Sequence, residues 1–230
     1  MTKLLVSVTN VEEAQLALEN GADMIDLKDP AQGALGALPI EIIRQITDYV
    51  HTKDSIETRY VSATIGDLPM QTALVYQRVL EVASAKPDIV KIGFFEADDY
   101  QPCLDALKSL ADSKVKLIAV LFAEYEYPDN LIAAIADAGF YGLMIDTAHK
   151  NGETFMRYIP DEKMKALSSQ IIERGLVFGL AGSLKVEHVA KVKQYNPGYM
   201  GFRGGVSTQL QRNMPLDGEK LRQCRHEIRR

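Results

Sequence analysis

Short apolar runs alternate with amphipathic stretches of helical period about eight times along the chain, at a spacing of about 29 residues. Strands in such a series are parallel, because each return needs a crossover rather than a hairpin. The runs predict strands at 3–8, 24–29, 59–65, 89–95, 116–123, 142–147, 177–181 and 199–203. Helices are expected near 11–20, 39–50, 70–85, 99–111, 128–138, 161–174 and 185–193, and from 217 to the end. Asn10 with Glu13 reads as a capping box, and Asn20-Gly21 as the stop of the first helix. The count predicts one α/β domain over residues 1–230, a single (β/α)8 TIM barrel. A doubly wound open sheet shares the alternation and is the competing architecture. The absence of an obvious second domain favours the barrel.

Composition narrows the function. Hydrophobic residues make up 47 % of the chain and the formal net charge is -5, so a core is affordable and no basic stripe marks a nucleic-acid binder. No apolar stretch approaches the length of a membrane span. The N-terminal apolar run is too short for a secretion signal, so a cytoplasmic protein is expected. Cys103 and Cys224 lie far apart and read as two reduced thiols. No histidine pair has ligand spacing, and no dinucleotide, Walker or nucleophile-elbow motif occurs, so neither metal nor cofactor is expected.

The informative residues are charges inside apolar strands. In Met24-Ile25-Asp26-Leu27-Lys28-Asp29 the two-residue period sends Ile25 and Leu27 outward and Asp26 and Lys28 inward. Lys91 points in between outward Val90 and Ile92, and Asp146 points in beyond Leu143 and Ile145, with Lys150 in the next loop. Alternate strands share layers in such a barrel, so Lys28, Lys91 and Asp146 are expected to converge at one level. Two close lysines depress each other's pKa, and a neutral lysine is what attacks a carbonyl. A nearby carboxylate can then move protons. The plainer alternative is a set of salt bridges at strand ends.

The last two strands run into small-residue turns. Gly182 and Ser183 follow the seventh, and Arg203, Gly204 and Gly205 follow the eighth. Those are the places where barrels of this kind hold phosphate on backbone N–H groups. The glycines allow close approach and Arg203 would add charge. His149, beside Lys150, reads as a bystander.

These segments resemble a known family. Gly21-Ala22-Asp23-Met24-Ile25-Asp26-Leu27-Lys28-Asp29-Pro30 and Gly33-Ala34-Leu35-Gly36-Ala37 are the most specific blocks. Val90-Lys91-Ile92-Gly93, Asp146-Thr147-Ala148-His149-Lys150-Asn151-Gly152, Gly179-Leu180-Ala181-Gly182-Ser183-Leu184 and Gly201-Phe202-Arg203-Gly204-Gly205 extend the likeness. Together they resemble the (5-formylfuran-3-yl)methyl phosphate synthases of methanofuran biosynthesis, also called 4-(hydroxymethyl)-2-furancarboxaldehyde-phosphate synthases. The resemblance implies a class-I-aldolase-like barrel, a lyase that condenses two glyceraldehyde 3-phosphate molecules with loss of phosphate and water. It implies that Lys28 forms the Schiff base, that Lys91 accepts the proton, and that Asp146 and Lys150 are further active-site positions. Expected partners are phosphorylated trioses and further copies of the chain, with no nucleic acid or membrane. Another Schiff-base triose-phosphate aldolase or isomerase is the alternative, and a non-catalytic barrel that binds a phosphorylated metabolite is a third reading.

Overall fold

The computed structural model describes residues 1–53 and 59–230. Eight parallel strands close into a barrel in sequence order. They are β1 (Lys3–Val8), β2 (Met24–Leu27), β3 (Tyr60–Thr64), β4 (Ile89–Gly93), β5 (Lys116–Phe122), β6 (Gly142–Asp146), β7 (Val177–Leu180) and β8 (Tyr199–Phe202). The helices between and after them are α1 (Val11–Glu19), α2 (Ile40–Lys53), α3 (Thr72–Ser84), α4 (Gln101–Asp112), α5 (Leu131–Asp137), α6 (Asp161–Glu173), α7 (Val189–Val192) and α8 (Gly218–Arg229). β8 closes on β1 from Lys3 opposite Tyr199 to Val6 opposite Phe202. Closure excludes the open sheet.

Strand facing follows the alternation. Ile25 and Leu27, Val90 and Ile92, and Leu143 and Ile145 pack outward in one apolar cluster with the helices. Leu5, Met24, Ile89, Ile118, Val120 and Met144 fill the barrel interior in a second cluster. Both strand faces are therefore buried, as parallel sheets require. Truncating any of the outward leucines or isoleucines to alanine removes about 2–5 kcal/mol.

α1 starts where expected: the Asn10 side chain accepts from the Glu13 amide at 2.8 Å. The Glu13 carboxylate reaches back to the Thr9 amide at 2.9 Å rather than to the cap residue itself. β2 stops at Leu27, two residues early. Lys28 N–H still bonds Val8 O, but Asp29 N–H turns to Gly36 O in its own loop at 2.9 Å. A Cβ on Gly36 would lie 2.5 Å or less from the carbonyl oxygens of Asp29 and Gln32, so this turn requires glycine. α7 is a single turn flanked by 3-10 turns at Val186–His188 and Lys193–Tyr195. The loop after β2 folds back over the barrel mouth. Its Leu35 is fully buried in the interior cluster, and the Asp67 carboxylate holds the Ala34 and Leu35 amides, each at 2.7 Å.

Candidate active site

All the charged residues singled out above gather inside the C-terminal end of the barrel, but on two tiers rather than one. On the lower tier Lys91 Nζ contacts Asp26 Oδ1 at 2.8 Å and Met144 Sδ at 3.8 Å. On the upper tier Lys28 Nζ lies 3.8 Å from Asp146 Oδ2, and Lys150 Nζ lies 2.7 Å from Asp146 Oδ1. The reason is strand geometry. Asp26 and Lys28 share one face but are two residues apart along the strand. The upper position on β4 falls to Gly93, which has no side chain. Leu35, Phe95 and Phe122 occupy that space, because a Cβ there would meet them at 2.9, 2.7 and 3.3 Å. They cover Lys91, which is 1 % exposed.

A cavity of about 380 Å³ opens above these tiers. Ser7, Asp26, Lys28, Asp146 and Lys150 form its floor and wall, and Lys91 is absent from its lining. Lys91 reaches the cavity through Asp26, whose carboxylate also accepts from Ser62 Oγ at 2.7 Å and Ser7 Oγ at 3.0 Å. Lys150 is held by Asp146 and by the Thr147 carbonyl at 2.6 Å. His149 is exposed beside Glu124, which takes its amide and that of Ala148.

The electrostatics separate the groups. Burial lowers the Lys28 pKa from 10.5 to about 8, against the pull of Asp146 and Asp26 and with help from Lys150 and then Lys91. The like-charge contribution expected from Lys91 is thus secondary to desolvation and to Lys150, because Lys91 sits a tier below and is paired. Burial pushes the Asp146 carboxyl up, but the charges of Lys150 and Lys28, with hydrogen bonds from the Lys150 ammonium and the Thr147 amide, outweigh it, so its pKa is lowered. Asp26 behaves likewise under Lys91 and Lys28, and stays ionised.

The glycine turns meet at the opposite wall. Gly182 (φ +93°) and Ser183 (φ +53°) are both left-handed. A Cβ on Gly182 would approach Thr147 within 2.8 Å, and one on Gly205 would lie 2.0 Å from the Leu184 carbonyl oxygen. The amides of Gly182, Ser183, Gly204 and Gly205 bond no acceptor among the described residues. Arg203 differs from expectation. All five of its N–H donors are spent on protein oxygens: the Glu13 carboxylate twice, and the carbonyls of Ser7, Arg212 and Met214. It borders the cavity as a strut, with no donor left for an anion. Lys185 and Arg212 line the cavity beside the turns as cations, and the Arg212 guanidinium bonds only Gly33 O among the described residues, at 2.9 Å. Sequence reading missed Ser7, Ser62 and Arg212. Alternation along β1 and β3 carries a signal for the two serines, since Leu4 and Val6, and Val61 and Ala63, face out. Arg212 lies in an irregular loop with no pattern to mark it.

A family model described as 4-HFC-P synthase matches residues 4–225. The chain belongs to this family. A 4-HFC-P synthase relative from Methanococcus maripaludis, named (5-formylfuran-3-yl)methyl phosphate synthase, is 33 % identical over 91 % of this chain and 92 % of its own. One of the same name from Methanothermobacter thermautotrophicus is 30 % identical, over 91 % of each chain. A Methylorubrum extorquens protein that bears the name provisionally is 36 % identical, over 99 % of this chain and 92 % of its own. Among solved structures, 3-hexulose-6-phosphate synthase from Salmonella typhimurium superposes with a TM-score of 0.68 at 13 % identity, covering 99 % of this chain and 98 % of that one. Phosphoribosyl anthranilate isomerase from Thermus thermophilus gives 0.65 at 18 %, with coverage of 99 % and 98 %. Those two likenesses establish the barrel alone. In this chain the resemblance blocks supply Asp26, Lys28, Asp146, Lys150 and both glycine turns to the cavity lining, while Leu35 and Lys91 lie outside it.

Proposed function

We propose that this chain condenses two glyceraldehyde 3-phosphate molecules into (5-formylfuran-3-yl)methyl phosphate through an imine on Lys28, with loss of phosphate and water. The observation that carries this reading is the Lys28 amine: it is buried on the cavity wall, has a pKa lowered to about 8, and lies 3.8 Å from a carboxylate. At pH 7 about a tenth of it is neutral, far more than for an ordinary lysine, and neutral amine is the form that adds to an aldehyde. The iminium acidifies the adjacent C–H, and the enamine that follows attacks the second aldehyde. Elimination of phosphate and dehydration then aromatise the ring.

Each proton transfer needs a positioned acid or base. Asp146 and Lys150 serve at the imine itself. Asp26 serves deeper in the cavity, and Lys91 exchanges its proton with substrate by way of the Asp26 carboxylate. The four unpaired amides of the glycine turns hold one phosphate. The chemistry is redox-neutral overall.

Borohydride reduction in the presence of glyceraldehyde 3-phosphate, followed by peptide mass spectrometry, tests the imine. A triose-sized adduct is expected on the peptide that carries Lys28. An adduct on Lys91 or Lys150 instead overturns the assignment. Near-ultraviolet absorbance of the reaction mixture tests the product, since a furan aldehyde absorbs there and an aldol sugar does not.

A further inference from the structure

We infer that Arg212 is the cation that neutralises substrate phosphate in this site, and that Arg203 is the positioning residue that presents it. The inference rests on reading the cavity as a phosphotriose site and names the residue that selects for the phosphate. A charged donor strengthens the grip of neutral amides on a dianion, because charge-assisted hydrogen bonds are about twice as strong as neutral ones. Arg203, the arginine nearest the turns in sequence, has no N–H to give. Arg212 lines the same cavity, spends one donor on Gly33 O, and has no carboxylate within ion-pair distance among the described residues. Its backbone packs against the second turn, with Arg212 N 3.5 Å from the Cβ position of Gly204.

The loop that carries Arg212 is built to hold it there. Gln209 (φ +56°) and Leu210 (φ +57°) are consecutive left-handed residues without glycine's freedom. Such strain persists only where the surroundings impose it, and it concentrates at ligand clamps. Here the surroundings are Arg203, which donates to the Arg212 and Met214 carbonyls, the Thr208 amide bonded to Pro215 O at 2.8 Å, and the bridge between Ser207 and Leu216. The hydrogen bond to Gly33 O also joins this loop to the one that follows Lys28.

The test is calorimetric titration of the full chain with inorganic phosphate, alongside turnover of glyceraldehyde 3-phosphate. Arg212→Gln is expected to weaken phosphate binding and raise KM by about tenfold to a hundredfold, with kcat changed far less. Arg212→Lys should recover only part of the loss, since a point charge replaces a planar fork. Arg203→Lys is expected to lower the Tm, and to lose phosphate affinity only together with that stability. Three results would overturn the inference: no phosphate binding by the parent chain, unchanged binding by Arg212→Gln, or a fully stable Arg203→Lys that alone fails to bind. Arg212-dependent phosphate binding without turnover of the triose would refute the proposed reaction and leave this assignment standing.

Discussion

Lys91 Nζ lies 2.8 Å from Asp26 Oδ1, and each of these side chains is only 1 % exposed. The pair is a buried salt bridge whose acid faces the cavity and whose base does not. Removing one partner leaves the other as an uncompensated buried charge, at a cost of about 3–5 kcal/mol. Lys91→Met and Asp26→Asn should each lose about that much stability in urea unfolding. The double variant should lose clearly less than the sum, because no lone charge remains. Additive losses would show that the two groups do not interact. Under conditions where the variants remain folded, both singles should still trap an imine on Lys28 while kcat falls about 100- to 10,000-fold, as for a lost acid–base group.

Lys28 gives the site its pH dependence. Folding lowers its pKa from 10.5 to about 8. Below pH 8 the amine is charged in both states, and the folded protein carries the whole cost of burying it. Between about 8 and 10.5 the folded chain gives up the proton first, so stability rises with pH. Lys28→Met should therefore be more stable than the parent below pH 8, with the gap narrowing above it. The rate of imine trapping should climb through an ionisation near 8. Lys150→Met should move that midpoint upward more than Lys91→Met does, because Lys150 is the stronger like charge on Lys28. The opposite order would contradict the two-tier arrangement.

The adjacent glycines after β8 should respond differently to one methyl group. At Gly205 an added Cβ meets the Leu184 carbonyl oxygen at 2.0 Å, so the two turns must move apart. At Gly204 the nearest atom is 3.5 Å away. Thermal unfolding should show Gly205→Ala destabilised by about 1–3 kcal/mol or more, with weaker phosphate binding, and Gly204→Ala near the parent. Equal Tm values for the two would count against a fixed contact between the turns.

Arg203 and Glu13 tie the last strand to the first helix, through a fork whose side chains are 9 % and 13 % exposed. Arg203→Ala strands the carboxylate and three carbonyls. It is expected to cost about 3–5 kcal/mol in denaturant unfolding. A stable variant with only a raised KM would instead make Arg203 a simple phosphate ligand.

Much of this site was legible in the residue order. The two-residue period is enough to face Asp26, Lys28, Lys91 and Asp146 inward, since a single slip would turn every apolar partner to the wrong side. The small-residue turns after β7 and β8 were visible for the same local reason. The level of each charge was not. Periodicity fixes which face a side chain takes, but its height in the barrel depends on the stagger between neighbouring strands. That stagger set Lys91 against Asp26 and gave the place beside Lys28 to Asp146. The engagement of Arg203 was not legible, because its partners, Glu13, Ser7, Arg212 and Met214, come from both ends of the chain.

The sequence by itself determined what local chemistry can determine. Strand alternation, capping at Asn10 and glycine at the turns fixed the eight units and the inward set of ionisable residues. Only tertiary structure decided which charges meet, which are sealed and which keep a free donor. Closing the barrel brings β8 onto β1, so that Glu13 claims Arg203, and folds Leu35 over Lys91. Arg212 is left facing the cavity. Those outcomes depend on contacts between residues far apart in the chain, and neither periodicity nor spacing carries information about them.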